Sequence, residues 1–165
     1  QLSKPLHQKT AIRNTCDHLF SQGHDLIIID CPPSLGAGVI SAICAADVLV
    51  IPTTADSFAV RGINLTLTEA ASISATFGLS LPDALILLTH HDRRVRMGEE
   101  VLRQLKDDYG TKLVAHPIRT SSSFARAQQQ EKSVFEISKA RNVQSDYDFF
   151  IRTLLRLNPA NQQLI

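Results

Sequence analysis

Four short apolar runs punctuate the chain: Leu26–Ile29, Val48–Ile51, Ala84–Leu88 and, more weakly, Lys112–Ala115. Each is nearly continuous rather than alternating, the pattern of a strand covered on both faces. The stretches between them have helical spacing. Leu35–Ala46 is small and apolar, and Phe58–Phe77 gathers Ile63, Leu67, Ala70, Ala71 and Phe77 on one side. Met97–Tyr109 sets Met97, Val101, Leu105 and Tyr109 at intervals of four, an amphipathic stripe. Gln1–Gln22 reads as a helix leading into the first run, with Leu19 and Phe20 inward. Ser145–Leu157 carries Tyr147, Phe150, Ile151, Leu154 and Leu155 on one face, and Pro159 is expected to end it. Alternating strands and helices predict an α/β fold, a mostly parallel sheet flanked by helices on both faces. No repeat or linker divides residues 1–165, so a single domain is expected.

In open sheets of this kind ligands sit beyond the carboxyl ends of the strands. The informative segments are therefore Asp30–Gly38, Pro52–Ser57, Thr89–Arg96 and Pro117–Ser123, all polar or rich in Gly and Pro. Composition narrows the classes. A net charge of +1 gives no whole-chain reason to bind nucleic acid, so any such site must be a local patch. Cys16, Cys31 and Cys44 have no metal-ligand spacing and suit reduced thiols in a cytoplasmic protein. No apolar run reaches the roughly 18 residues of a membrane span, so no membrane partner is expected.

The stretch that carries chemistry is DLIIIDCPPSLG, residues 25–36. Asp30 closes the first run, which brings its carboxylate to the ligand edge. Pro32 holds Cys31 extended and Pro33 does the same to Pro32, so the chain leaves the sheet straight. Gly36 and Gly38 then allow the backbone close to a ligand. A carboxylate held beside bare amides suits a hydrated Mg²⁺ and a terminal phosphate. Taken alone, an apolar run ending in Asp is more often a helix cap or an ion-pair partner.

The continuation changes those odds. DLIIIDCPPSLG followed by ISAICAADVLVIPTTADSFAVRGIN resembles the ParA/MinD group of partition ATPases, the deviant Walker ATPases. Asp30, Pro32, Pro33, Ser34, Leu35, Gly36, Ala46, Asp47, Pro52, Phe58, Ala59 and Gly62 fall where that pattern expects them. The resemblance runs from about Asp25 to Leu155. It implies a P-loop NTPase-like fold of the SIMIBI class, with ATP or ADP and Mg²⁺ as ligands. Asp30 would be the catalytic carboxylate, positioning the attacking water and the shell of the metal. Pro32, Pro33, Ser34 and Gly36 would form the nucleotide-sensing switch. ILLTHHDRR matches the strand and loop that approach the base, which brings in Thr89 and His90. HPIRTSSSFARAQQQEKSVFE matches the segment closing over adenine, with Pro117 and Ile118, and leading to a DNA-facing surface.

The family's phosphate loop, a variant of GxxxxGK[ST], does not occur here, because no glycine is followed by lysine. The resemblance places that loop upstream of Gln1. The chain therefore reads as roughly the C-terminal two-thirds of such an ATPase, either a fragment or a short form, and not hydrolytically competent alone. A sheet without its central first strand would leave two edges to be covered.

Arg93, Arg94 and Arg96 crowd one loop, and Arg119, Arg126, Lys132, Lys139 and Arg141 follow the fourth run against Glu131 and Glu136. Any one of these is more often a solvated side chain. As a patch they suit sequence-independent contact with DNA phosphates, which the resemblance implies for an ATP-bound homodimer. Arg93, Arg94, Arg96, Arg119, Arg126 and Lys132 are the candidates, although family members read IPRNVR where this chain has HPIRTSSS. His90 and His91 are adjacent and would point apart, which suits polar loop residues better than a metal site. Cys31 lacks a neighbouring base and reads as a small filler. Ser121–Ser123 reads as a helix start or a base contact.

The implied activity is DNA segregation, plasmid or chromosomal, by a cytoplasmic, nucleoid-associated ATPase answering to a ParB-like centromere-binding adaptor. The ending LNPANQQLI is not the basic membrane helix of a cell-division positioning relative. Tyr109 and Tyr147 do not make an autokinase's tyrosine cluster, and the cysteines do not suit a nitrogenase-type iron protein. The alternative from another class is a non-enzymatic module that binds DNA or a partner and regulates an intact homologue.

Overall fold

The computed structural model describes residues 3–157, with side chains from Thr10 onward. Six helices and two strands follow in the order α1 (Ser3–Ser21), α2 (Ala37–Ala45), β1 (Val48–Thr54), α3 (Ala59–Phe77), β2 (Asp83–Thr89), α4 (Arg96–Tyr109), α5 (Ser122–Gln129) and α6 (Arg141–Leu157). Pro159, expected to end α6, lies outside the described residues.

β1 and β2 pair in a two-stranded sheet. At their beginnings the Asp83 amide donates to the Asp47 carbonyl, and at their ends the Thr89 hydroxyl donates to the Thr53 carbonyl at 3.0 Å. Start meets start and end meets end, so the strands are parallel, and α3 is the crossover that a parallel pair requires. β2 is the more deeply sunk, with Leu85, Ile86, Leu87 and Leu88 all buried. Along its other side runs the fourth apolar stretch, less regular than expected. A 3-10 turn occupies Gly110–Lys112, and the parallel pairing is reduced to bridges of Leu113 with Ile86 and Arg119 with His91. The Val114 amide reaches Ile86, and the Ile118 amide reaches Leu88 at 2.8 Å.

The first apolar run is the larger departure. Leu26–Ile29 forms neither strand nor helix among the described residues. A strand exists through its neighbours' hydrogen bonds, and none is supplied here. Exposure alternates along it, with Ile27 and Ile29 half-buried while Leu26 is 47% and Ile28 80% exposed. Only one face is covered, not the two that the unbroken apolar run suggested.

Contacts divide the chain into two compact units, 1–49 with 66–83 and 50–65 with 84–165, whose borders fall within β1, α3 and β2 rather than in a linker. In the first unit α1 packs on α2, and Arg13 of α1 donates to the Cys44 carbonyl at 2.8 Å. Its core is Ile43, Cys44, Ala70 and Ile73, with Val39, Ile40, Leu49, Phe77 and Leu79 against them. In the second unit Ala127, Ile137 and Ala140 form a cluster with Val134.

Two helical stripes are rotated from the expected register. In α4 the buried positions are Gly98, Leu102 and Leu105, while Met97 is 51% exposed. In α6 the buried positions are Val143 and Asp146, and Ile151 is exposed. Gly98 explains the first case. A Cβ there would sit 3.4 Å from the Asp92 carbonyl oxygen and 3.6 Å from His91 Nδ1, so the side without a side chain lies closest to its neighbours.

Candidate functional site

Asp30 ends the apolar run and is exposed, as is every residue from Asp30 to Gly38. Among the described residues its carboxylate has neither a hydrogen-bond nor an ion-pair partner. Pro32, Pro33 and Ser34 carry the chain to Gly36, which is the N-cap of α2 in an extended conformation with φ −108° and ψ 179°. The Gly36 amide donates to the Ser34 carbonyl at 2.9 Å, tightening the turn. No side chain caps α2. Its first amides are thus left to solvent or to an anion, the usual property of an uncapped helix start. A Cβ built on Gly36 or Gly38 meets nothing within 4 Å. An oxygen-only carboxylate beside open amides is a donor set that fits a hard cation through water and a phosphate. Among the described residues no three His, Cys, Asp or Glu side chains gather to hold a metal ion directly. Cys31 is exposed.

The loop after β1 is organised by Asp56. Its carboxylate accepts from the Thr54 hydroxyl at 2.6 Å and from the Phe58 amide at 2.8 Å, and both bonds lower its pKa. The Asp56 turn feeds directly into α3 and leaves Phe58 71% exposed.

After β2 the chain reaches the two histidines, which differ sharply. His90 is exposed with φ 52°, the left-handed region. That reversal turns His91 inward, where it is 1% exposed and its Nε2 lies 3.1 Å from Glu99 Oε1. His91 Nδ1 is buried without a partner. His91 is therefore a core residue rather than the polar loop residue expected, while His90 remains at the surface. The His91 backbone joins the next segment, donating to the Ile118 carbonyl and accepting from the Thr120 amide, each at 3.0 Å. The Ile118 backbone thus bonds to Leu88 and His91, on either side of Thr89, and Pro117 before it is half-buried.

The expected DNA-contacting cations separate into distinct kinds. Arg93 and Lys132 are exposed. Arg94 forms a fork with Asp92, at 2.9 and 2.7 Å, and this pair holds the Asp92 carboxyl at about 2. Arg96 pairs with Glu100 one helical turn on, at 2.9 Å. Both arginines are about as exposed as free side chains, so neither pair withdraws them from solvent (89% and 93%). Arg126 donates to Ser123 Oγ at 2.9 Å and has a buried Nε without a partner.

Arg119 is held differently from the other candidate cations. Its Nε and Nη2 grip the two oxygens of Asp146 at 2.8 and 2.7 Å, and Nη2 also donates to the Asn142 carbonyl at 2.9 Å. The Arg119 amide donates to the same carboxylate at 3.1 Å. Asp146 hydrogen bonding raises the Arg119 pKa. A guanidinium committed in this way closes an ion pair with a buried carboxylate while its side chain stays 37% exposed.

Ser121 caps α5, accepting from the Ser123 amide at 3.1 Å, which settles the serine run as a helix start. Ser133 and Glu136 form a reciprocal capping box around the 3-10 turn at Val134–Glu136. Gln144 of α6 donates into that turn, to the carbonyls of Val134, Phe135 and Ile137.

Comparison with known proteins adds the family context. The model of the family described as an AAA domain matches residues 1–82. The chromosome-partitioning ATPase Soj of Treponema pallidum is 32% identical over 90 residues, covering 54% of this chain and 36% of that protein. The sporulation initiation inhibitor protein Soj of Bacillus subtilis is 35% identical over 92 residues, covering 56% and 36%. The chain thus spans little more than a third of the length of these relatives. In structure it resembles a cobyrinic acid a,c-diamide synthase from Mycobacterium smegmatis with bound ADP and magnesium. The TM-score is 0.60 at 22% identity, over 76% of this chain and 56% of that one, which speaks to the fold.

Proposed function

This chain is related to the ParA/MinD-type partition ATPases, and on that premise we propose that it serves DNA segregation. Its nucleotide-bound homodimer holds DNA without regard to sequence, and a ParB-like centromere-binding adaptor stimulates hydrolysis and release. The observation that carries the reading is the exposed Asp30, unpartnered among the described residues, at the end of an apolar run with the uncapped start of α2 just after it. ATP and Mg²⁺ are the ligands that this donor set suits.

Magnesium, when bound with the nucleotide, supplies counter-charge to the phosphate oxygens. Asp30 accepts hydrogen bonds from water, holding the metal's shell and aligning the attacking water. Pro32 and Pro33 keep that carboxylate from folding back, and the open amides at Gly36 and Gly38 receive phosphate oxygens. Ser34 and Gly36 report whether the terminal phosphate is present. Thr89, His90, Pro117 and Ile118 border the base. DNA contact falls to Arg93, Arg94, Arg96, Arg126 and Lys132, with Arg119 serving the fold instead.

The test is Mg²⁺-dependent ATP binding by the chain, followed with a fluorescent ATP analogue, beside anisotropy of labelled duplex DNA. The reading expects Asp30→Ala to abolish the Mg²⁺-dependent part of the ATP affinity. DNA binding that ignores both nucleotide and sequence, with no ATP affinity at all, would instead favour the non-enzymatic module.

A further inference from the structure

The segment His116–Phe124 is fastened along one helix by contacts that the proposed chemistry leaves unused. The His116 ring lies against Phe149, with centroids 4.2 Å apart, and Phe124 meets Tyr147 edge-on at 6.1 Å. Between these apolar ends sits the Arg119 fork on Asp146, whose side chain is only 8% exposed. A carboxylate this dry gives up much of its solvation, a cost that its fixed bonds to Arg119 offset.

The backbone shows what the fork sets in place. Ile118 and Thr120 both turn their amides toward the β2 side, to Leu88 and His91. Along an extended chain, successive residues turn to opposite sides. Pro117 and Arg119 therefore direct their backbone groups away from β2. Pro117 has no N–H to offer, and the Arg119 N–H is already taken by Asp146 at 3.1 Å. Among the described residues that side presents an acceptor, the Pro117 carbonyl, two residues before Arg119 and opposite the Ile118 amide bonded to Leu88. An acceptor there favours a base bearing an exocyclic amine and disfavours one bearing an oxygen at that position.

We propose that Asp146 is a positioning residue for base selection: through Arg119 it holds Pro117 and Ile118 in the conformation that prefers adenine over guanine. This rests on the reading that those two residues border the base. Asp146 itself touches no ligand.

The experiment is saturation-transfer NMR on the chain with Mg²⁺ and either ATP or GTP, a method that reads weak binding. Wild type is expected to prefer ATP and to pass saturation to the adenine protons. Asp146→Asn should retain triphosphate binding and lose ATP-over-GTP preference by about tenfold, the worth of one positioned hydrogen bond. Arg119→Lys, which keeps the cation but not the fork, should show the same loss and serves if the first variant does not fold. Preference unchanged in a variant with a wild-type circular dichroism spectrum overturns the proposal and leaves the functional reading standing. A wild type that binds both nucleotides without adenine preference overturns the proposal alone, and one without nucleotide binding overturns both. Asp30→Ala separates the two ideas, because it should lower Mg²⁺-dependent affinity for both nucleotides equally.

Discussion

Removing either half of the Arg119–Asp146 pair should destabilise the second unit, and by unequal amounts. Asp146→Ala deletes three acceptor contacts, from Arg119 Nε, Nη2 and the backbone amide. The guanidinium left behind keeps the Asn142 carbonyl and is 37% exposed, so water recovers part of the loss. Breaking a fully buried pair costs about 3–5 kcal/mol. Discounting for the wet guanidinium gives about 2 kcal/mol for Asp146→Ala. Arg119→Ala leaves the drier partner, a carboxylate only 8% exposed with one backbone donor, and should cost about 3 kcal/mol. The double variant should cost less than the two singles added, by about 1–2 kcal/mol. Urea unfolding followed by circular dichroism measures all three, and an unchanged denaturant slope keeps the comparison two-state. Equal losses, or an interaction energy near zero, would refute the argument that burial of the carboxylate decides the cost.

Leu105→Ala should cost about 2–5 kcal/mol, since Leu105 is wholly buried. Met97→Ala on the same helix should stay within about 0.5 kcal/mol, and the contrast in urea midpoints checks the rotated stripe. Tyr109→Phe removes a hydroxyl that lies 2.9 Å from Asn64 Oδ1 and 3.2 Å from the Val60 carbonyl. One proton serves one of these at a time, so thermal unfolding should report a loss of about 1 kcal/mol. The Asp92 carboxyl is depressed from 3.8 to about 2 by Arg94, so its contribution is complete above 3.8 and fades as pH falls through about 2. The wild-type advantage over Asp92→Asn should therefore be present at pH 5 and shrink toward pH 2, as read by the urea midpoint.

The α/β alternation was legible because helices and buried strands leave different periods, and α2 to α4 begin and end close to where those periods change. Leu26–Ile29 departs from the expected strand for a physical reason. An apolar run records what a segment can bury, whereas a strand also needs neighbours, which no local pattern encodes. Met97 shares the spacing of Val101 and Leu105, which predicts it inward. The structure instead brings Gly98 against His91, a close approach that hydrophobicity cannot signal. Asp30 and its prolines could be read from the sequence because local rules govern them. Asp146 could not be singled out, although one sign was present: a carboxylate three residues after Val143 stands in the buried register of α6. Arg119 lies 27 residues away, and that pairing belongs to the tertiary fold. The cations were visible in the sequence, but which of them remain open to a ligand depended on partners such as Asp146.

The exposed stretch leading to α2 has a practical corollary. Residues 24–36 are neither helix nor strand, and Asp30 onward is exposed throughout. Proteases take their substrates in an extended form, so this stretch is where a limiting dose of a broad-specificity enzyme should cut first. The bonds flanking Pro32 and Pro33 will resist, which directs cleavage to Leu26–Ile29 and to Ser34–Leu35. Occupancy of the ground around Asp30 would shield those bonds. The rate of a single nick thus becomes a label-free gauge of whether anything is bound there.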